Sequence, residues 1–147
     1  MDDVERARGG AGAGRARGDA GEGFFERYFE ALDGPDPLSA LEMVTSDLRF
    51  SILFSTKMDE RSRQFVGGPD ELRAFTEAGD MSGWAHYILN RAVVDDVEIV
   101  LGETRRDDGT HLGTFVNAAR LDDEGRMTHY LTARSPGIRF EAPRDER

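Results

Sequence analysis

The feature that most constrains this chain is a change of period at residue 84. From there on, apolar and polar residues alternate with period two through four consecutive segments, Trp84–Val94, Val97–Arg105, His111–Leu121 and Arg126–Arg134. The segments are joined by Asp95-Asp96, Asp107-Asp108-Gly109 and Asp122-Asp123-Glu124-Gly125. Asp and Gly tolerate the backbone angles of tight reversals, so such short connections make hairpins. Four strands joined this way form an antiparallel meander, which has one apolar face to bury.

The residues before the meander supply the cover. Phe24, Phe25, Tyr28, Phe29 and Leu32 fall on one helical face, with Glu26, Arg27 and Glu30 opposite. Gly34 ends that helix. Asp36-Pro37 starts a second, with Asp as N-cap and Pro at the first helical position, and Leu38, Leu41 and Val44 form its apolar side. A strand follows, in which Leu48, Phe50, Ile52 and Phe54 alternate with Arg49, Ser51 and Leu53. Residues 55–64 are polar and loop-like, and Phe65 and Val66 suggest a short strand. Pro69-Asp70-Glu71 opens a third helix with both acids in its first turn, Leu72, Phe75 and Ala78 face inward, and Gly79 closes it. The predicted class is α+β: three helices, an early strand among them, then a long meander whose apolar face the helices cover.

With 147 residues the chain has room for one domain with its own core. Residues 1–22, rich in Gly, Ala and charge, read as a disordered leader, 23–141 as the folded domain and 142–147 as a disordered tail. The leader carries four Arg against five acids, so the folded part holds nearly all of the net charge of −10. Nucleic acid and anionic membranes need a basic face that such a chain does not offer. There is no cysteine, hence no disulfide and no thiolate metal site, and no apolar run of signal-peptide or membrane-span length. The expectation is a cytoplasmic domain.

Several local strings resemble one superfamily. GGPDELRAFTEAG looks like its third helix, WAHYILN resembles the T-x-H-x-x-x-N strand of SnoaL-like and scytalone-dehydratase-like members, and SPGIRF resembles the exit of the last strand in the dehydratase-like members. Over residues 24–140 the order of these strings resembles the nuclear transport factor 2-like (cystatin-like) fold. The resemblance implies a cone-shaped, curved, mostly antiparallel sheet wrapped around three N-terminal helices, with a pocket in the concavity. It also implies a small apolar, aromatic or polyketide-like ligand, no cofactor, and a homodimer formed through the outer sheet face, to which Tyr87 and Leu89 could contribute.

Fold does not choose among the activities such proteins carry, so residues must. His86 shares a strand face with Ile88 and Asn90 if the alternation is regular, and a pocket-facing His suits acid–base work near neutrality. Scytalone dehydratases, which resemble this chain at that strand, use a His there to move protons. The competing reading is a His bonded within a mixed core or facing out at a dimer surface. Tyr28 sits on the apolar face of the first helix, where family enzymes often place a phenol that polarises a carbonyl; a core aromatic with a satisfied hydroxyl is the alternative. Asn117, in phase with Phe115 and Ala119, and His129, in phase with Met127 and Leu131, are polar residues in apolar registers that need partners, from a ligand or from the protein. Phe50 and Ile88 are candidate pocket walls, and His111, just after a hairpin turn, is expected to be exposed.

The departures from the family weigh against catalysis. The second His of scytalone dehydratases is missing from GETRRDDG, Ile52 stands where ketosteroid isomerases carry their base Asp, and the Asp residues cluster at turns, where solvation is the simpler account. No metal-ligand spacing occurs among the three His. Two readings therefore stay open. One is a cofactor-independent dehydratase, isomerase or cyclase using His86 as acid/base, and the other a non-catalytic ligand-binding or protein-interaction domain.

Overall fold

A computed structural model describes residues 23–55, 57–58, 60–79 and 82–140, so the leader 1–22 and the tail 142–147 lie outside the described residues. The chain runs α1 (Phe24–Leu32), a 3-10 helix (Pro37–Met43), β1 (Val44–Phe54), β2 (Arg63–Gly67), α2 (Pro69–Ala78), β3 (Trp84–Val94), β4 (Val97–Arg106), β5 (His111–Leu121) and β6 (Met127–Ser135). One six-stranded sheet has the order β2-β1-β6-β5-β4-β3. All neighbours are antiparallel except β1 and β6, which run parallel. The meander of the sequence is thus β3 to β6, and β1 joins it beside β6 after a long crossover through the helices. The class is α+β, a mostly antiparallel sheet with three helical segments on one face. Among the described residues, no helix is long and apolar enough to cross a membrane.

The core forms where α1 lies on the sheet. Phe24, Phe25, Tyr28 and Phe29 are all nearly inaccessible and meet Phe50, Ile52, Ile88, Val100, Phe115 and Tyr130 from the strands. The N-terminus of α1 has no side-chain cap of its own, since Gly23 holds that place. Buried Glu98 of β4 takes over, accepting from the Phe24 and Phe25 amides at 2.9 and 3.0 Å. That satisfies two orphan donors and sets a carboxylate against the positive end of the helix.

The second helix differs from expectation. It is a 3-10 turn, Asp36 caps it with no side-chain bond, and Val44 already belongs to β1, which starts four residues before Leu48. A spacing of three between Leu38, Leu41 and Val44 fits the 3-10 period as well as one α-helical face, which is why the pattern did not separate the two. α2 follows its sequence signals: the Glu71 carboxylate reaches back to accept from the Gly68 amide at 2.8 Å, which is one half of a capping box, since glycine has no side chain to return the bond. In the β3–β4 turn Asp95 takes the left-handed conformation at φ 56°, as a two-residue hairpin requires.

Three bulges break the alternation of the meander, and the β1–β6 pairing also shifts register between Val44 and Arg49. One extra residue is inserted at Leu89, where Ile88 pairs with Gly102 but Asn90 with Leu101. A second lies at Leu112 and a third at Thr128. Each moves the side chains beyond it to the other face of the sheet.

Candidate functional site

The inner face of the sheet is built in cross-strand rows. Ile52, Thr132, Asn117 and Val100 stand side by side, as do Phe54, Arg134, Phe115, Gly102 and Ile88, with Thr104 and His86 beyond them. Between this face, α1 and α2 lies a cavity of about 1020 Å³. Tyr28, Phe50, Asn117, Tyr130, Phe115 and His86 line its interior, and exposed Lys57, Arg63, Gln64 and Ser82 mark its mouth.

Among the contacts of His86, three orient its ring. Its ring lies flat on Phe29, 4.2 Å between centroids and 1° apart in tilt, and meets the edge of Phe115 at 5.6 Å. Phe115 can reach that position because β4 carries Gly102 beneath it: a Cβ there would stand 2.5 Å from the Phe115 ring. The third contact is Asp33, which follows the last residue of α1. One Asp33 oxygen lies 2.8 Å from His86 Nδ1 and the other accepts the His86 backbone N–H at 2.9 Å. Both side chains are largely withdrawn from solvent, at 12% and 15% exposed. A carboxylate only accepts, so Nδ1 carries the hydrogen in the neutral ring and Nε2 is left with its lone pair. Nε2 has no hydrogen-bond partner among the described residues, and His86 lines the cavity.

Deeper in, two phenols face each other across α1 and β6. The Tyr28 and Tyr130 rings are 5.8 Å apart. Burial holds the Tyr28 hydroxyl well above the usual tyrosine range, and nearby Tyr130 adds to the effect. Burial likewise pushes Tyr130 up, against hydrogen bonds from Thr132 and Asn117. Both therefore stay neutral and able to donate. Asn117 is satisfied by the protein: its Nδ2 donates to the Tyr130 oxygen at 3.5 Å and its Oδ1 accepts from Thr132. Tyr28 makes no such bond among the described residues, so its hydroxyl is offered to the cavity.

Of the residues singled out by sequence, His86, Tyr28, Asn117 and Phe50 come together on the cavity wall. Ile88 is buried in the core behind it. Asn90 and His129 do not belong to the cavity. Both are exposed, because the bulges at Leu89 and Thr128 turn them onto the outer face. The same bulge leaves Leu89 buried within the chain, and half-buried Tyr87 lies under the Arg105 guanidinium at 4.4 Å. His111 is mostly buried too. Its Nε2 is 2.9 Å from the Thr114 hydroxyl, and burial lowers its pKa despite the Glu103 carboxylate nearby. Asp33 is the site residue that sequence reasoning missed. Among the described residues, no three His, Asp or Glu side chains converge as a metal site.

No protein-family model matches the sequence, and no curated protein matches it either. Solved structures do match. A proposed isomerase of the SnoaL-like family from Agrobacterium tumefaciens superposes with a TM-score of 0.59 at 14% identity, covering 75% of this chain and 92% of that one. A proposed polyketide cyclase from Sinorhizobium meliloti gives 0.52 at 16% identity, over 74% and 91%. A nuclear transport factor 2-like protein of unknown function from Mesorhizobium loti gives 0.54 at 17%, over 75% and 86%. The chain thus has the fold of the SnoaL-like, nuclear transport factor 2-like proteins.

Proposed function

We propose that the cavity binds a small, largely apolar carbonyl compound and that His86 moves a proton on it without a cofactor. The single observation that carries this is the His86–Asp33 pair, which fixes the ring and leaves Nε2 as a base toward the cavity. Nε2 would take a proton from a carbon beside the carbonyl. The bond electrons pass to the oxygen, where the neutral Tyr28 hydroxyl donates to the developing oxyanion. Asp33 stabilises the imidazolium. Return of the proton to another carbon gives an isomerase, loss of a β-hydroxyl a dehydratase, and attack on a second carbonyl a cyclase. These share the first step, and similarity in fold to a proposed isomerase and a proposed cyclase supports that class.

The first step can be tested without knowing the product. In deuterium oxide, NMR should show protein-dependent exchange at the α-carbon of members of a panel of cyclic and aryl ketones. His86→Ala should lower the rate about 10²–10⁴-fold while circular dichroism stays unchanged. Exchange that proceeds equally in His86→Ala removes His86 from the chemistry.

A homodimer is part of the proposal. The outer sheet face presents Val66, Leu131 and Ile99 in one cross-strand row and Val116 in the next, all well exposed. An apolar band of this kind on a sheet face suits a second copy of the chain.

A further inference from the structure

The charged side chains that line the cavity among the described residues are mostly cationic, opposite in sign to the chain. Among the described residues, Lys57, Arg63, Arg106 and Arg134 line it, against the single carboxylate of Glu71, in a protein of net charge −10. Glu71 is already engaged with the Gly68 amide, and Asp33 is engaged with His86.

Arg134 is the cation set furthest in. Its stem crosses Gly113 of β5, where a Cβ would stand 3.0 Å from its Cγ and 3.2 Å from its Cδ. Without a side chain at 113, Arg134 can lie along the sheet instead of rising from it. Its guanidinium ends between two aromatic faces, 5.0 Å from the Phe54 centroid and 5.7 Å from that of Trp84. No carboxylate pairs with it among the described residues. Burial accordingly lowers its pKa, against the opposing influence of Tyr130. Aromatic faces attract a cation but accept none of a guanidinium's five N–H groups in an ion-pair fork. Trp84 also packs against His86, with centroids 5.1 Å apart, so the free fork and the free Nε2 flank one indole.

Resting on the reading of the cavity as a substrate site, we infer that Arg134 is an anion subsite and that the ligand is a small organic carboxylate whose apolar body spans from Arg134 to His86. A guanidinium fork matches a carboxylate's two oxygens. Half-buried Arg134 carries one positive charge between aromatic faces, while Lys57, Arg63 and Arg106 are exposed, which favours a carboxylate over a doubly charged phosphate.

Trp84 is the only tryptophan in the chain, so its fluorescence reports on this subsite. The probes are cyclohexyl-terminated alkanoates of rising length, each beside its primary amide. Wild type is expected to bind a carboxylate at least about tenfold more tightly than its amide. Arg134→Gln should reduce that ratio to within about twofold, while Arg120→Gln, an exposed change, leaves it intact. Gly113→Val, which keeps the charge but obstructs the stem, should also reduce the ratio. If Arg134→Gln does not fold, Arg134→Met, which keeps an unbranched stem and removes the charge, decides by the same ratio. Equal binding of carboxylate and amide by wild type, or a ratio that survives in the Arg134 and Gly113 variants, overturns the inference. Such a result leaves deuterium exchange at His86 untouched. Conversely, a carboxylate preference without exchange supports the subsite and removes the role of His86. Binding of neither probe class overturns both.

Discussion

Replacing Asp33 by Asn exchanges one carboxylate oxygen for an NH₂ group and tests the central geometry. The carboxylate accepts two N–H bonds from one residue, at 2.8 Å from the ring and 2.9 Å from the backbone. An amide can keep its oxygen on the backbone N–H, but its NH₂ then faces Nδ1, and two donors cannot share that contact. The ring must hand its hydrogen to Nε2, so the lone pair turns away from the cavity to face the new amide. Loss of a charge-assisted bond in a mostly buried pair costs roughly 1–3 kcal/mol of stability. The catalytic cost is larger, because the wrong tautomer has no base to offer, and a loss of roughly 10²–10⁴ in the exchange rate is expected. Two measurements check this. Nitrogen-detected NMR of the imidazole should show hydrogen on Nδ1 in the wild type and on Nε2 in the variant, and α-carbon exchange should fall in parallel. A wild-type ring with its hydrogen already on Nε2, or an Asp33→Asn protein exchanging within about threefold of wild type, would refute the reasoning whatever the substrate.

Other predictions follow from the packing. Phe25→Ala, at a fully inaccessible position with ring contacts to Phe24, Tyr28, Phe29 and Tyr130, should cost about 3–5 kcal/mol in urea unfolding; a loss under about 1 kcal/mol would mean the cluster is loose. Gly102→Ala should push Phe115 off the His86 edge, lowering stability by about 1–3 kcal/mol and the exchange rate with it; an unchanged His86 ring environment by NMR contradicts this. Glu103 is fully inaccessible, and burial, which raises its pKa, is outweighed by hydrogen bonds from Arg139 and Arg105, so the group ends below the ordinary glutamate value of 4.5. A folded pKa below the unfolded one stabilises above the unfolded value and is lost as pH falls through the folded one. Wild type should therefore lose more stability than Glu103→Gln on acidification below about pH 4.5, and parallel curves would show that the pairing contributes nothing. Leu131→Glu on the outer face should shift sedimentation at micromolar concentration from dimer to monomer, and a wild-type monomer would sink the dimer proposal.

Most of the fold was legible because it is written in short-range signals. The aromatic stripe of α1, the Pro-Asp-Glu start of α2 and the Asp/Gly turns of the meander each act within a few residues, and each forms where its pattern lies. The 3-10 segment was misassigned because a three-residue apolar spacing fits two helix types. The pairing of β1 with β6 joins residues about eighty apart in sequence, and no local pattern encodes it.

The site was less legible, for a physical reason that concerns period. An alternating strand pattern assigns faces only as long as no residue is inserted, and bulges are inserted by pairing geometry rather than by side-chain chemistry. His86 and Asn117 lie on uninterrupted stretches and sit where alternation puts them, whereas Asn90 and His129 lie beyond bulges and fall on the other face. Asp33 escaped for a different reason, and here a signal did exist. It follows α1 directly, next to the negative end of the helix dipole, where an acid is unfavourable without a compensating donor. An acid at that place, one turn after an aromatic face that must bury itself, calls for an N–H from another element. A turn acid that only needs solvent has no reason to prefer it. The His86 backbone and ring supply that N–H, and the acid that is poorly placed for its own helix is well placed to orient a base on the strand across from it.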